Sequence, residues 1–409
     1  MIPANLSVLD FTYELPEERI ALYPAVPRDS SRLLAYEPST GAIGGFMFQA
    51  LPELLPGEGI MVFNETRVVH ARLIFQKPTG GRVEIFCLSP TDPPPPAETA
   101  FQAKGPVRWK AYVGNARRWK EEVLQMPFRS SDSISGLLEA RRKGRMDDAF
   151  EVEFSWEPSS LTFSEVLEAA GKVPLPPYIH REAVAEDVSR YQTVYAKADG
   201  SVAAPTAGLH FTPALLEQLE SGGRKRLEVV LHVGAGTFKP VGEGNIHKHM
   251  MHTEEIQVSH DTLTALVAGY GKPIIAVGTT TVRTLESLYQ TGKKLIQNIP
   301  FEEAVHTAQW DPYQGYQPDT EEALAALLEE MNRRRLHTFR GTTTLMIVPG
   351  YNFRLTDILI TNFHQPRSTL LMLVAAFCGP GWRTAYQYAL DTDFRFLSYG
   401  DACLFYKSR

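Results

Sequence analysis

The apolar positions of this chain change rhythm along its length. Through residue 70 the main breakers are prolines. After Arg72 the pattern turns to alternation. Leu73–Gln76 and Arg82–Leu88 flank Lys77-Pro78-Thr79-Gly80-Gly81, which reads as a hairpin. Shorter strand-like pieces follow at Arg108–Val113 and Phe150–Phe154, so residues 73–155 read as a small all-β module between two other segments.

From Leu161 the rhythm is that of alternating helices and strands. Thr162 with Glu165 forms a capping box, and the spacing predicts a helix over 163–170. Thr212-Pro213 opens another, with Leu215, Leu216 and Leu219 on its apolar face. Leu227–Val233 reads as a strand, and Pro273–Val277 as a fully buried one that enters a helix through Gly278-Thr279-Thr280-Thr281 as far as Glu286. Asp319–Leu336 is a long amphipathic helix with a basic end, Asp357–Thr361 a strand, and Ser368 caps an apolar helix over 369–377. The expected class is α/β: a large domain made of 1–72 and 156–409, with a mostly parallel sheet, interrupted by the small all-β domain 73–155.

Composition narrows the class without naming a reaction. The chain has 409 residues, 44% hydrophobic and 22% charged, which is ordinary globular material. The longest apolar run, Leu370–Cys378, is far short of the ~20 residues that cross a bilayer. Met1–Asp10 lacks a basic stretch followed by an apolar run, so a cytoplasmic protein with no membrane partner is expected. Cys87, Cys378 and Cys403 are odd in number and far apart, giving neither a disulfide framework nor zinc spacing. His249, His252 and Glu254 lack further ligands at convincing spacing, and no metal is expected. A net charge of −6 argues weakly against nucleic acid. Its distribution argues the other way: Arg117, Arg118 and Lys120 sit beside Trp119, and Arg141, Arg142, Lys143 and Arg145 form a second cluster. A solvated face is the plain alternative.

Candidate chemistry gathers where strands end. Ala204–Thr212 contains Thr206, Gly208 and His210; Leu231–Phe238 contains His232, Gly234, Gly236 and Thr237; Gly278–Arg283 contains Thr280 and Arg283. In an open α/β sheet such loops share the carboxyl edge, and they are expected to converge on one cleft. His210 is either a neighbour of the helix cap at Thr212 or a polar group in that cleft, and His232 is as consistent with a satisfied structural imidazole as with a catalytic one. Thr280 and Arg283 at a helix N-terminus suit a carboxylate or phosphate, or simple capping.

At these same stretches the chain resembles the S-adenosylmethionine:tRNA ribosyltransferase-isomerase family of queuosine biosynthesis. The blocks include Phe11–Pro16, Arg28–Leu33, Asn64–Val68, Arg190–Tyr195, Gly200–Thr212, Leu231–Phe238, Ala276–Ser287, Thr361–Phe377 and Arg395–Ala402. It departs from the family pattern at His70, Gln365 and the stretch before Pro349, and residues 290–340 read as an insertion. The resemblance implies an α/β domain carrying a small β-barrel. It implies transfer and isomerisation of the ribosyl part of S-adenosylmethionine onto 7-aminomethyl-7-deazaguanine at the tRNA wobble position, with loss of adenine and methionine. S-adenosylmethionine is then a consumed substrate, with no permanently bound cofactor.

Acid–base roles are expected of His210 and His232, with Asp401 and Glu254 as reserve bases. Substrate contacts are expected of Thr206, Gly208, Gly234, Gly236, Thr237, Thr280, Arg283, Arg190, Gln192, His252 and His364, and tRNA contacts of Arg117, Arg118, Lys120, Arg141, Arg142, Lys143 and Arg145. A diverged paralogue, an S-adenosylmethionine-dependent RNA methyltransferase, a base-exchanging transglycosylase and a non-catalytic RNA-binding protein are the rival readings.

Overall fold

The computed structural model describes residues 6–77, 80–94, 96–120, 122–146, 149–234, 244 and 246–408. The strand Gly59–Asn64 is buried at every position. Its alternate side chains serve opposite layers: Ile60 and Val62 join one core, Met61 and Phe63 the other. A strand covered on both faces must lie inside a sheet, and this one does. It pairs in parallel with Arg224–Leu231 on one side and Ile274–Val277 on the other, and Ile274–Val277 pairs in parallel with Ile358–Asn362. These strands form the centre of a ten-stranded sheet. Beyond Ile358–Asn362 the sheet continues through antiparallel Ala402–Tyr406 to Arg32–Glu37 and Ala42–Met47. Beyond Arg224–Leu231 it continues through Glu254–Ser259, Thr338–Thr343 and His306–Thr307.

Helices cover both faces. The helix Pro213–Ser221 starts at Thr212, whose hydroxyl accepts the Leu215 N–H, and buries Leu215, Leu216 and Leu219 against Met61, Phe63 and Ile275. On the other face lie Thr279–Ile296, Thr320–Arg334 capped by Asp319, and Thr369–Cys378 capped by Ser368. Among the described residues no helix is long and apolar enough to cross a membrane. The helix after Gly278 runs 18 residues, well past Glu286, because its far half is buried against Thr320–Arg334.

The alternating segment forms a six-stranded antiparallel sheet: Arg72–Gln76, Arg82–Asp92, Val107–Gly114, Ala149–Glu157, Ser135–Met146 and Leu124–Arg129 in spatial order. Its first and last strands approach each other, so the sheet is nearly closed into a barrel. Inward residues Leu73, Phe75, Val83, Ile85, Trp109, Val152 and Phe154 fill it. The helix Phe163–Ala170, with the Thr162–Glu165 capping box formed, adds Phe163, Val166 and Leu167 to that core. The observed architecture is therefore α/β with a barrel-like β insertion.

Gly292 sets the approach of the two long helices. A Cβ on it would fall 1.9 Å from the Ala323 carbonyl oxygen. Backbone cannot yield as a side chain tip does, so the helices would have to separate. Gly292→Ala is expected to lower stability by ~1–3 kcal/mol despite alanine's better helix propensity. Denaturant unfolding checks this, and a neutral or stabilising effect would contradict the close approach.

Candidate active site

The carboxyl ends of the central parallel strands meet in one cleft. It encloses about 830 Å³, part of it open to solvent. Its wall includes Ala204–Ala207, Val233, Gly278–Thr280, Arg283 and Thr361–Gln365, with Tyr178, Tyr191, Leu397 and Ser398. Described parts of the three loops expected to converge therefore line one space.

One end gathers hydrogen-bond donors. Gly278 holds φ at 95°, a conformation that L side chains rarely adopt, and turns the chain from strand into helix. The first helical hydrogen bond runs from Val282 N–H to Gly278 O at 3.2 Å. The N–H groups of Thr279, Thr280 and Thr281 precede it and have no helical acceptor, and no side chain caps the end. Thr280 Oγ1 accepts from Asn64 Nδ2 at 3.3 Å. Arg283, one turn on, is 4% exposed. Its Nη1 donates to Glu254 and its Nε to the Leu345 carbonyl at 3.1 Å, while its Nη2 is buried without a partner among the described residues. An open guanidinium nitrogen beside free helical N–H groups is a carboxylate or phosphate cradle.

The histidines divide by position. His364 lines the cleft; Nε2 lies 2.9 Å from Thr361 Oγ1, and Nδ1 has no partner among the described residues. His210 stands outside the lining. Its Nδ1 meets Ser31 Oγ at 2.7 Å and its Nε2 meets Asn362 Nδ2 at 3.2 Å, so neither ring nitrogen is left for a substrate proton. His232 is also outside the lining, with Nδ1 3.0 Å from Thr66 Oγ1 and the ring packed on Gly200. Burial lowers His210 and His364 to about 3 and His232 to about 4. The Arg395 and Arg28 charges add to the effect at His210. All three rings are neutral near pH 7.

The remaining expected residues are spread more widely. Thr206 lines the cleft, and Gly208 lies against the Tyr195 hydroxyl with no room for a side chain. Glu254 is committed to Arg283. Asp401 accepts from the Arg32 N–H at 3.0 Å and the Arg395 N–H at 2.8 Å, so it binds the chain's own backbone and is not among the lining residues. Gln192 bonds both backbone groups of Val68 and lines a second cavity of about 740 Å³ with Arg28, Arg67 and His70. Arg190 donates to the Ala25 carbonyl, and His252 is exposed. Gly234 is half-buried; Gly236 and Thr237 lie outside the described residues. In the barrel, Arg117, Arg118 and Lys120 are exposed around the turn Ala116–Arg118. Arg142 instead clasps that turn through the Ala116 and Lys120 carbonyls. Arg141 pairs with Glu139 and Lys143 with Glu153, and Arg145 is exposed.

The sequence reading passed over Asn64, Ser31 and Asn362 as individual site residues. The available signal was a polar side chain ending, or flanking, a mostly apolar strand.

A parallel-centred α/β sheet with a polar cleft on its carboxyl edge is the architecture of an enzyme that binds a small ligand there. The family model for queuosine biosynthesis proteins matches residues 8–405, and the chain belongs to that family. It is 39% identical over 398 residues to the S-adenosylmethionine:tRNA ribosyltransferase-isomerase of Anaeromyxobacter sp. (strain Fw109-5), covering 97% of each chain. The crystal structure of an S-adenosylmethionine tRNA ribosyltransferase from Thermotoga maritima is 30% identical, matched over 97% of this chain and 99% of that one with a TM-score of 0.45.

The buried histidines make stability depend on pH. Their ordinary value is about 6.5, and the folded values lie below it. The unfolded chain therefore binds protons first as pH falls. The contribution is present above pH 6.5 and is lost as pH falls through the folded values toward 4 and 3. Each such histidine steepens the dependence by up to ~1.4 kcal/mol per pH unit. Unfolding free energy measured between pH 6.5 and 4 should fall less steeply in His210→Gln than in the wild type. Equal slopes would mean that His210 takes up its proton over the same pH range in the folded and the unfolded chain.

Proposed function

We propose that this chain transfers and isomerises the ribosyl part of S-adenosylmethionine onto 7-aminomethyl-7-deazaguanine in tRNA, giving epoxyqueuosine-tRNA, adenine and methionine. The observation that carries the reading is a family match over nearly the whole chain, joined to a cleft whose polar end leaves Arg283 Nη2 open beside an uncapped helix. The methionine carboxylate fits that end, with Thr280 beside it. Tyr178, Phe363, Leu370 and Leu397 offer apolar surface to the adenosyl end.

The sulfonium acidifies the neighbouring C5′ hydrogens, so a base must stand close to them. In this reading His364 accepts that proton, because it lines the cleft, is neutral and has an open Nδ1. His210 and His232 support the wall. S-adenosylmethionine is consumed in the reaction. The division into a catalytic unit, 1–72 with 156–409, and an inserted unit, 73–155, that holds tRNA belongs to the same proposal.

The test is to mix purified protein with S-adenosylmethionine and tRNA carrying 7-aminomethyl-7-deazaguanine. Free adenine and methionine are expected; S-adenosylhomocysteine would mark a methyltransferase, and binding without turnover an RNA-binding protein. His364→Gln should slow adenine release ~10²–10⁴-fold in a single turnover while tRNA affinity holds. A normal rate would remove His364 from proton transfer.

The tRNA reading narrows to the exposed cations of the barrel turn. Replacing Arg117, Arg118 and Lys120 together by Glu should weaken tRNA binding and flatten its salt dependence, by up to ~0.9 in log–log slope for each phosphate no longer neutralised. An unchanged affinity and slope would place the RNA elsewhere. Arg142→Ala should chiefly loosen the turn that it clasps.

A further inference from the structure

Asn362 ends the strand Ile358–Asn362, is 2% exposed and lines the cleft. Its Nδ2 lies 3.2 Å from the Leu397 carbonyl oxygen and 3.2 Å from His210 Nε2. A carbonyl oxygen only accepts, so the amide atom facing it must be the nitrogen, which fixes the amide's orientation. The second amide hydrogen goes to His210 Nε2, which must then be unprotonated. The ring proton sits on Nδ1 and is donated to Ser31 Oγ at 2.7 Å. Burial keeps the imidazole neutral, as this chain of donors requires. Both amide hydrogens are thus spent on the wall, and Oδ1 is buried with no partner among the described residues. Buried acceptors are normally satisfied, and this one is held open by its neighbours.

We infer that Asn362 Oδ1 accepts a hydrogen bond from the adenosyl half of the substrate, and that Ser31 and His210 position it to do so. This rests on the functional reading above. Arg283 and the helix N-terminus draw the carboxylate of the methionine half to their end of the cleft. Asn362 stands beside Phe363 and is tied to Leu397, on apolar wall suited to a purine. The adenosyl half carries the matching donors, the exocyclic amine of adenine and the ribose hydroxyls. His210 acts here as a positioning residue.

The experiment is calorimetric binding of S-adenosylmethionine, adenosine and methionine, each without tRNA, to wild type, Asn362→Leu and Ser31→Ala. Melting temperatures are taken on the same preparations. Asn362→Leu should weaken S-adenosylmethionine and adenosine ~10–100-fold and leave methionine unchanged. Ser31→Ala frees the His210 tautomer and should weaken adenosine ~3–10-fold, again sparing methionine; it carries the test if Asn362→Leu does not fold. Purine riboside, which lacks the exocyclic amine, separates the two donors: binding to wild type equal to adenosine's assigns a ribose hydroxyl, and weaker binding assigns the amine. Adenosine binding that is unchanged in a folded variant overturns the role of Asn362 alone. A wild type that binds neither S-adenosylmethionine nor adenosine overturns the functional reading, and this inference with it.

Discussion

The carboxyl edge of the sheet is organised around the Asn64 amide. Asn64 ends the central strand and is fully buried. Its Oδ1 accepts the Leu231 N–H at 3.1 Å and the Thr66 N–H at 3.2 Å, while its Nδ2 donates to the Leu231 carbonyl at 3.0 Å and to Thr280 Oγ1. One side chain thereby joins the central strand, its parallel neighbour and the helix that opens on the cleft. Leaving such an amide unpaired would cost ~1–3 kcal/mol per group, so the three elements are held in one register. Thr280 Oγ1 is used as an acceptor toward Asn64, which leaves its hydroxyl proton for a ligand. The geometry of the cleft wall follows from this anchor, because Thr280 belongs to the helix it ties and Val233 follows the neighbouring strand by two residues.

Some buried polar groups in this protein are spent on the fold itself. Glu286 accepts from the backbone of Arg354, Leu355 and Thr356 and from the Tyr351 hydroxyl, so it serves the helix–loop junction and has little left to offer. Arg224 is likewise spent on the carbonyls of Pro52, Leu55 and Pro56. Arg283 Nη2, Asn362 Oδ1 and the Tyr191 hydroxyl differ: each belongs to a residue lining the cleft, and each lacks a hydrogen-bond partner among the described residues. Buried atoms without a hydrogen-bond partner among the described residues occur away from the cleft as well, Trp109 Nε1 and Gln290 Oε1 among them, so position in the cleft wall is what sets these apart.

Local signals were legible where the physics is local. Thr162 with Glu165, Thr212-Pro213, Asp319 and Ser368 each mark a helix start found in the structure, since a cap is decided within one turn. The alternation after Arg72 pointed to the inserted sheet, though strands such as Leu124–Arg129 and Ser135–Met146 were not singled out, the first being interrupted by Pro127 and the second rich in charge in its later half. The central strand Gly59–Asn64 drew no notice. Six consecutive buried residues carry no period, and only long-range pairing identifies them as a strand. The cleft's loops were legible as a group because strand ends in α/β sheets share an edge. Which imidazole faces the space was not, because His210 is turned away by Ser31 and Asn362, residues far from it in sequence.

The charge of the cleft suits an unusual guest. S-adenosylmethionine brings a carboxylate, an ammonium and a permanent sulfonium, so a strongly cationic pocket would reject its centre and a strongly anionic one its carboxylate. Arg283 is the one Lys or Arg among the described lining residues, and Glu254 beside it offsets its charge. His364 in the wall and His210 behind it are kept neutral by burial, which withholds two further positive charges. The free N–H groups of the Thr279–Ile296 helix can still meet the carboxylate, since a helix terminus presents only partial charge. Aromatic faces from Tyr178, Tyr191 and Phe363 can meet the sulfonium without competing for the proton at C5′. A neutral imidazole presents one unprotonated ring nitrogen, the form that a base needs. In the proposed reaction, loss of a C5′ proton turns the sulfonium centre into a net-neutral ylide, so the imidazolium formed with it does not face a full positive charge.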